Sequence, residues 1–389
     1  MSKIDELLAQ YCPDGVGFVL LADICDIKTG KGITKNDAIN GGIYPIISGG
    51  KEPMGYYHTY NRKGKCVTVS RVGANAGFVN FIDVEFYLND KCFSLIFKKD
   101  CNISKYLFYY LKSIESKIID LQSEGGVPTI NTTKVGSIPI PIPPLPVQEE
   151  IVSILDKFTA LEAELEAELE ARTRQYEYYR NELLSFEGKD VEWKALGNIS
   201  KCYAGATPKT SIKEYWEGGN IPWMSSGEVN LGNVFSTEKF ITQLGFNNSS
   251  TKMIPKDSVV IALAGQGKTR GMVGITRIEL CTNQSLCAVV VNEGLNSDYL
   301  YYFLKTQYKQ LRNVSSGDGT RGGLNLQMIR DYKIPVPPIE EQERIVAILD
   351  KFDALVNDIS SGLPAEILAR RQQYEYYRGK LLTFKPLTA

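Results

Sequence analysis

The eight residues ALAGQGKT at Ala262–Thr269 come nearest to a recognisable chemical motif in this 389-residue chain. They are similar to a phosphate-binding loop, GxxxxGK[ST], whose backbone amides hold an anion in front of a helix N-terminus. Two features argue against nucleotide hydrolysis. Ala262 stands where the first glycine belongs, and the GMVGIT that follows reads as a strand. What remains is a Gly-rich loop carrying Gln266, Lys268, Thr269 and Arg270, side chains that donate to phosphates and base edges. Similar types recur around other Gly-containing loops. The first half of the chain offers Lys28, Lys31, Ser48, Lys51, Arg62, Lys63, Lys65, Arg71 and Asn75. The second adds Lys209, Trp223, Ser225, Ser226, Arg312 and Arg321. Arg and Lys can read guanine, and Asn or Gln adenine, through paired hydrogen bonds. Taken singly, each is explained as well by a solvated surface group, so only the set carries weight.

The rest of the chemical inventory is thin. His58 is the only histidine, and the eight cysteines show no CxxC spacing, which argues against zinc and for reduced thiols in a cytoplasmic protein. Asp190, Glu192 and Lys194 have the composition of a metal-nuclease cluster but correspond to a plain turn, Asp14–Phe18, in the first half. No NPPY or DPPY tetrapeptide marks methyl transfer, and no nucleophile–base pair stands out. The expectation is a chain with no catalytic residues, no metal and no cofactor of its own.

What must position these loops is a repeat. IVSILDKF at Ile151–Phe158 returns as IVAILDKF at Ile345–Phe352, and RQYEYYRNELLSF at Arg174–Phe186 returns as RQQYEYYRGKLLTF at Arg371–Phe384. A period near half the chain length means one unit laid down twice. Around both copies apolar residues step by three and four: Ile151, Ile154, Phe158, Leu161, Leu165, Leu169, Tyr176, Tyr179, Leu183 and Phe186 in the first. The second has Ile345, Ile348, Phe352, Leu355, Ile359, Leu363, Ile367, Tyr374, Tyr377, Leu381 and Phe384. This is helix periodicity with a coiled-coil seam. Each helix is roughly 40 residues, on the order of 60 Å if straight. Four extra residues around Ser360–Pro364, with Gly362 and Pro364, predict a kink or short break in the second. Because whole domains separate the copies, antiparallel pairing is the natural geometry. The tyrosines of QYEYYR (Tyr176, Tyr178, Tyr179; Tyr374, Tyr376, Tyr377) suit inter-helix or partner packing better than base stacking.

The fold class expected is α+β: two globular mixed α/β domains, 1–145 and 188–338, separated by two helices, 146–187 and 339–389, that form an antiparallel coiled coil. Matched landmarks run through both globular segments. YPIIS at Tyr44–Ser48 answers IPWMS at Ile221–Ser225, and CVTVSRV at Cys66–Val72 answers SVVIALA at Ser258–Ala264. The apolar runs Phe86–Phe97 and Leu280–Val291 carry Asn89 and Asn283 at matching offsets. Helices are expected at Ile4–Tyr11, Lys105–Ser113 and Asp298–Thr306. The net charge of −1 hides an uneven distribution: 1–145 holds 16 basic and 14 acidic residues, and 187–338 holds 17 and 13. In contrast, 146–186 holds 4 and 10. That permits nucleic-acid binding by the globular parts and disfavours it along the first helix. The N-terminus is polar and no apolar run reaches 18 residues, so neither a signal peptide nor a membrane span is expected.

These residues carry a resemblance. The PPLPVQEEIVSILDKF and PPIEEQERIVAILDKF lead-ins, the ARxxQYEYYR helix ends and the SGGxxPxGYY and SRVGANAG loops resemble specificity subunits of type I restriction–modification systems across essentially the whole chain. The second domain has SSGEVNLG where the first has SGGKEPMG. The resemblance implies two target-recognition domains, each reading one half of a split double-stranded DNA site, and two conserved-region helices that space them. It implies that LEAELEAELEA at Leu161–Ala171 acts as a ruler, one tetrapeptide adding about 6 Å of helix. It implies as partners two modification (methyltransferase) subunits, with restriction (motor–nuclease) subunits joining for cleavage. S-adenosylmethionine, ATP and Mg would then sit on those partners. A different class, a coiled-coil adaptor whose heads bind protein, fits the helices equally well; the lysines and arginines at Gly-rich turns favour DNA.

Overall fold

The structure, a computed structural model, describes residues 3–99, 103–123, 126–265, 268–315, 323–358 and 360–387. Gln266, Arg321 and Ile359 lie outside the described residues. The chain forms two compact units, Met1–Ala167 with Ala365–Ala389, and Glu168–Pro364.

In the first unit an antiparallel sheet runs Cys25–Thr29, Cys92–Phe97, Cys66–Ser70, Val79–Ile82. Its CVTVS strand is buried at every position, as a run of β-branched and small residues between two covered faces should be. A smaller sheet has Tyr44–Ile47 between Tyr56–Tyr57 and Tyr87–Leu88, the last pairing parallel. The helix Ser104–Ser113 packs on the larger sheet, and Phe18–Leu20 pairs with Pro139–Pro141.

The second unit repeats this plan strand for strand. The large sheet is Ser200–Ala204, Leu286–Val291, Val259–Ala262, Val273–Thr276, with Asn233–Val234 added at the edge. The small sheet is Lys239–Ile241, Ile221–Met224, Cys281–Thr282, again with the last pair parallel. Glu192–Ala195 pairs with Lys333–Val336, and helix Ser297–Thr306 covers the large sheet. In both units the expected long apolar run is interrupted. It breaks into Tyr87–Leu88 and Cys92–Phe97, or Cys281–Thr282 and Leu286–Val291, at a turn that begins with Asn89 or Asn283.

The first long helix is continuous over Leu145–Leu183, and the second is two helices, Ile339–Asn357 and Leu363–Leu381. The expected break has a clear local cause. The Asp358 carboxylate accepts from the Ser360 amide (2.7 Å) and from the hydroxyls of Ser360 and Ser361, turning the chain out of the helix. A Cβ at Gly362 would fall 2.4 Å from the Ala354 carbonyl oxygen, so only glycine lets the backbone close against that helix end.

Each globular part grips the start of the helix that follows it. Gln148, buried, accepts from the Ile103 amide (3.1 Å) and donates to the Pro143 carbonyl (2.8 Å). Gln342, also buried, accepts from Asn296 (2.8 Å) and donates to Pro337 (2.8 Å). The aspartate of each LDKF accepts a tyrosine hydroxyl: Tyr109 to Asp156 at 2.6 Å and Tyr302 to Asp350 at 2.7 Å. Burial first, then that hydrogen bond, pushes both phenols well above their ordinary range.

The helices pair antiparallel within each unit. In the first, Phe158 packs on Tyr374 and Tyr377, while further along Arg371 reaches Glu162 and Glu166. In the second, Phe352 packs on Tyr176 and Tyr179. No helix among the described residues is long and apolar enough to cross a membrane.

Candidate nucleic-acid interface

In the first unit, four loops are tied together at the C-terminal end of strand Cys66–Ser70. Arg71 N–H donates to the Lys91 carbonyl (2.9 Å), and Asn89 N–H donates to that of Ile47 (2.9 Å). Lys31 N–H donates to the Leu88 carbonyl (3.0 Å), and the Ile130 amide to that of Arg71 (2.8 Å). The Asn89 side chain closes the turn: its carbonyl accepts from Lys91 N–H (2.9 Å) and its amide donates to Ile33 O (2.7 Å). A Cβ at Gly30 would sit 1.9 Å from Leu88 O, so backbone meets backbone there.

The second unit builds the same knot from different residues. Leu263 N–H donates to Ser285 O (2.8 Å), Asn283 N–H to Met224 O (3.0 Å), Ala206 N–H to Thr282 O (2.9 Å) and Leu324 N–H to Leu263 O (2.8 Å). Asn283 accepts from Ser285 N–H (3.0 Å), and a Cβ at Gly205 would meet Thr282 O at 2.1 Å. Backbone bonds hold the loops, so the side chains they carry are free to differ.

The residues singled out from sequence divide between this knot and other places. In the first unit Lys31 and Lys51 are exposed on knot loops, and Arg71 lies at its centre. The Arg71 guanidinium stacks over Phe93 at 5.4 Å and donates to the Asp90 carbonyl (3.3 Å). Lys28, Lys63 and Lys65 instead line a separate groove with Phe97 and Ser104. In the second unit Ser226 and Lys209 lie on knot loops, half-buried and exposed respectively. Lys268 is exposed and Thr269 half-buried in the hairpin loop before strand Val273–Thr276, so no helix N-terminus stands behind that loop. The phosphate-loop geometry is absent.

Several expected contacts are committed internally. Trp223 is 5% exposed, its indole N–H donates to Ala206 O (3.0 Å), and its ring packs edge-on to Trp216; it belongs to the core at the position Ile46 holds in the first unit. A tryptophan on a short inner strand buries its large apolar face before it can offer it to a ligand. Arg62 spends its guanidinium on Ser94 Oγ and on the Asn61 and Thr29 carbonyls, each at 2.8 Å. Ser48 is buried beneath the Cys92 thiol, and the Asn75 amide donates to Gly49 O (3.2 Å). Ser225 caps its turn, its amide and hydroxyl both donating to buried Glu228 (2.6 and 2.8 Å). Arg270 is buried, and Arg312 donates to the Arg270 carbonyl and the Tyr308 hydroxyl, both at 3.2 Å.

The knot also presents residues that sequence reasoning missed. Asp90 and Lys91 are exposed on the first turn; Gln284 is exposed and Ser285 half-buried on the second, with the Thr207 hydroxyl donating to Gln284 Oε1. Asn89 and Asn283, at matching offsets, were the available signal, since each marks the turn whose next two residues differ.

Nothing in this geometry forms a catalytic centre. His58 touches Tyr57, Lys194 pairs with Glu192 at 3.0 Å on a surface strand, and no group of His, Cys, Asp or Glu among the described residues is arranged to hold a metal ion.

The duplicated architecture has relatives. The family model described as the type I restriction modification DNA specificity domain matches twice, over residues 13–171 and 188–369. The chain belongs to this family. It is 39% identical over 318 residues to the EcoR124I/EcoR124II type I restriction enzyme specificity subunit of Escherichia coli, covering 79% of this chain and 78% of that protein. Among solved structures it is similar in fold to the S subunit of the type I restriction–modification system of M. genitalium, with a TM-score of 0.62 and 19% identity. That similarity covers 95% of this chain and 96% of the other. The HsdS subunit of Thermoanaerobacter tengcongensis matches at a TM-score of 0.53 and 17% identity over 96% of each chain. Each match to this family of specificity domains falls on one globular head together with helix residues of the repeat.

Proposed function

We propose that this protein is the DNA-recognition subunit of a type I restriction–modification complex, each head reading one half of a bipartite double-stranded site. One observation carries the reading: two heads share the same hydrogen-bonded loop knot yet display different polar side chains from it. A fixed frame with variable display is what sequence-specific recognition needs, because backbone contacts position the protein while side chains discriminate bases. Exposed lysines on the knot loops supply phosphate contacts.

The paired helices serve as spacer and as platform. In this reading the LEAE repeats set the distance between the half-sites, and the helices dock two methyltransferase subunits, with motor–nuclease subunits joining for cleavage. The chain itself is non-catalytic and works in the cytoplasm. S-adenosylmethionine supplies the methyl group on the modification subunits, and ATP and Mg act on the partners; this chain positions them by binding DNA.

Methylation mapping tests the proposal. The chain is expressed with the methyltransferase subunit encoded beside it, and host DNA is sequenced for modified bases. Two short specific blocks around a fixed unspecific gap are expected. A soluble, assembled complex that leaves DNA unmodified, and whose binding does not weaken with salt, would replace this reading with that of a protein-binding adaptor.

A further inference from the structure

The two knots can be superimposed residue by residue through their hydrogen bonds, and this exposes where the heads diverge. Asn89 and Asn283 occupy the same place, each accepting from the amide two residues on (2.9 and 3.0 Å). The turn then returns to the sheet identically, Cys92 N–H to Asn89 O and Leu286 N–H to Asn283 O, both at 3.2 Å. Between those anchors stand two residues only: Asp90 and Lys91 in the first head, Gln284 and Ser285 in the second. Their setting differs to match. Gly32 leaves space about 4 Å from the Asp90 carboxylate, whereas Thr207 fills that place and hydrogen-bonds Gln284. Arg71 at the knot's centre in the first head is replaced by buried Leu263 in the second.

We infer that this two-residue turn is the specificity-determining element of each head, an inference that rests on the DNA-binding reading above. A rigid turn whose backbone bonds are internally satisfied can offer two side chains to a groove without conformational cost beyond their own ordering. The chemistry of the pairs assigns a base class to each. Lys91 donates to the O6 and N7 acceptors of guanine, and Asp90 accepts from the N4 amino group of cytosine, so the first head reads a G·C pair at this position. Gln284 can both donate to adenine N7 and accept from N6, and its hydroxyl neighbours tolerate either partner, so the second head reads an A·T pair.

The test exchanges the pairs in the full chain, co-expressed with its methyltransferase subunit: D90Q/K91S in one variant and Q284D/S285K in another. Each is expected to change one or two base positions in one half of the methylated motif, leaving the other half and the gap unaltered. Glu293→Gln, an exposed change beyond the far end of strand Leu286–Val291, should leave the motif intact. A motif unchanged by both exchanges overturns the inference while leaving the DNA-binding reading in place; a wild-type chain that yields no split motif overturns that reading instead. Loss of modification by a variant that still melts as the wild type, with E293Q active, supports the inference. Where an exchange does not fold, the single changes Asp90→Asn and Gln284→Ala take its place, and retention of the wild-type motif by both counts against it.

Discussion

The ring of Phe158 lies stacked on Tyr377, centroids 5.6 Å apart at 26°, and the ring of Phe352 lies on Tyr179 at 5.6 Å and 28°. Phe158 and Phe352 are the last residues of the two LDKF copies, and Tyr179 and Tyr377 hold the same place in the two QYEYYR copies. Each repeat therefore gives its phenylalanine to one unit and its tyrosine to the other. The seam of either unit is completed only by the other repeat, and that exchange is what makes the pairing antiparallel.

Removing one ring should loosen one seam. Phe158→Ala and Phe352→Ala are each expected to destabilise by about 1–3 kcal/mol, from lost apolar burial plus the aromatic pair. The two effects should add, because the residues lie in separate compact units with no shared partner. Thermal unfolding of the singles and the double checks both statements.

The buried glutamines test the grip of each head on its helix. Gln148→Leu and Gln342→Leu leave the amides of Ile103 and Asn296 and the carbonyls of Pro143 and Pro337 without those partners. Stranding buried backbone groups costs about 1–3 kcal/mol each. Denaturant unfolding should show a lower midpoint for both, and Gln→Glu should not restore it, since a carboxylate lacks the donor.

Gly362→Ala should disturb the helix break, because the new Cβ meets the carbonyl oxygens of Ala354 and Leu355 at 2.4 and 2.7 Å. The expected loss is about 1–3 kcal/mol, typical of a backbone position only glycine satisfies. Restoration of wild-type stability by deleting residues 360–362 would contradict this account.

Asp358 gives that break a pH dependence. Hydrogen bonds from Ser360, and then from Ser361, hold its carboxyl down at about 2, below the ordinary 3.8. A carboxylate whose folded value is depressed contributes stability above its unfolded value and loses it as pH falls through the folded one. The contribution is thus present above about pH 4 and gone by about pH 2. Carboxyl NMR titration should find Asp358 among the most acidic groups, and Asp358→Asn should flatten stability across that window.

Lys31, Lys51 and Lys91 are exposed on the first knot. Neutralising any one to Gln should weaken DNA binding across all sequences and reduce the slope of log affinity against log salt by about one. Lys99→Gln, away from the knot loops, should leave the slope unchanged. Titrations at several salt concentrations decide it.

The helix-start lead-ins, the long apolar stripes, the break at Gly362–Pro364 and the order head, helix, head, helix were all legible in the residues. Each rests on local periodicity or on near-identical repetition, and neither needs a long-range partner to be seen. Even the poverty of catalytic motifs was readable there, since such motifs are short and contiguous. The site was not. Trp223 and Arg62 look like ligand-facing residues in a string of letters, and only the packing of a short inner strand buries the first and spends the second on Ser94 and Thr29. Asp90, Lys91 and Gln284 look like ordinary turn residues, and they join Arg71 or Thr207 only because backbone bonds draw together loops separated by tens of residues. Which repeat completes which seam was also decided in three dimensions, because Phe158 has equivalent tyrosines in both repeats and only the antiparallel path brings Tyr377 within reach.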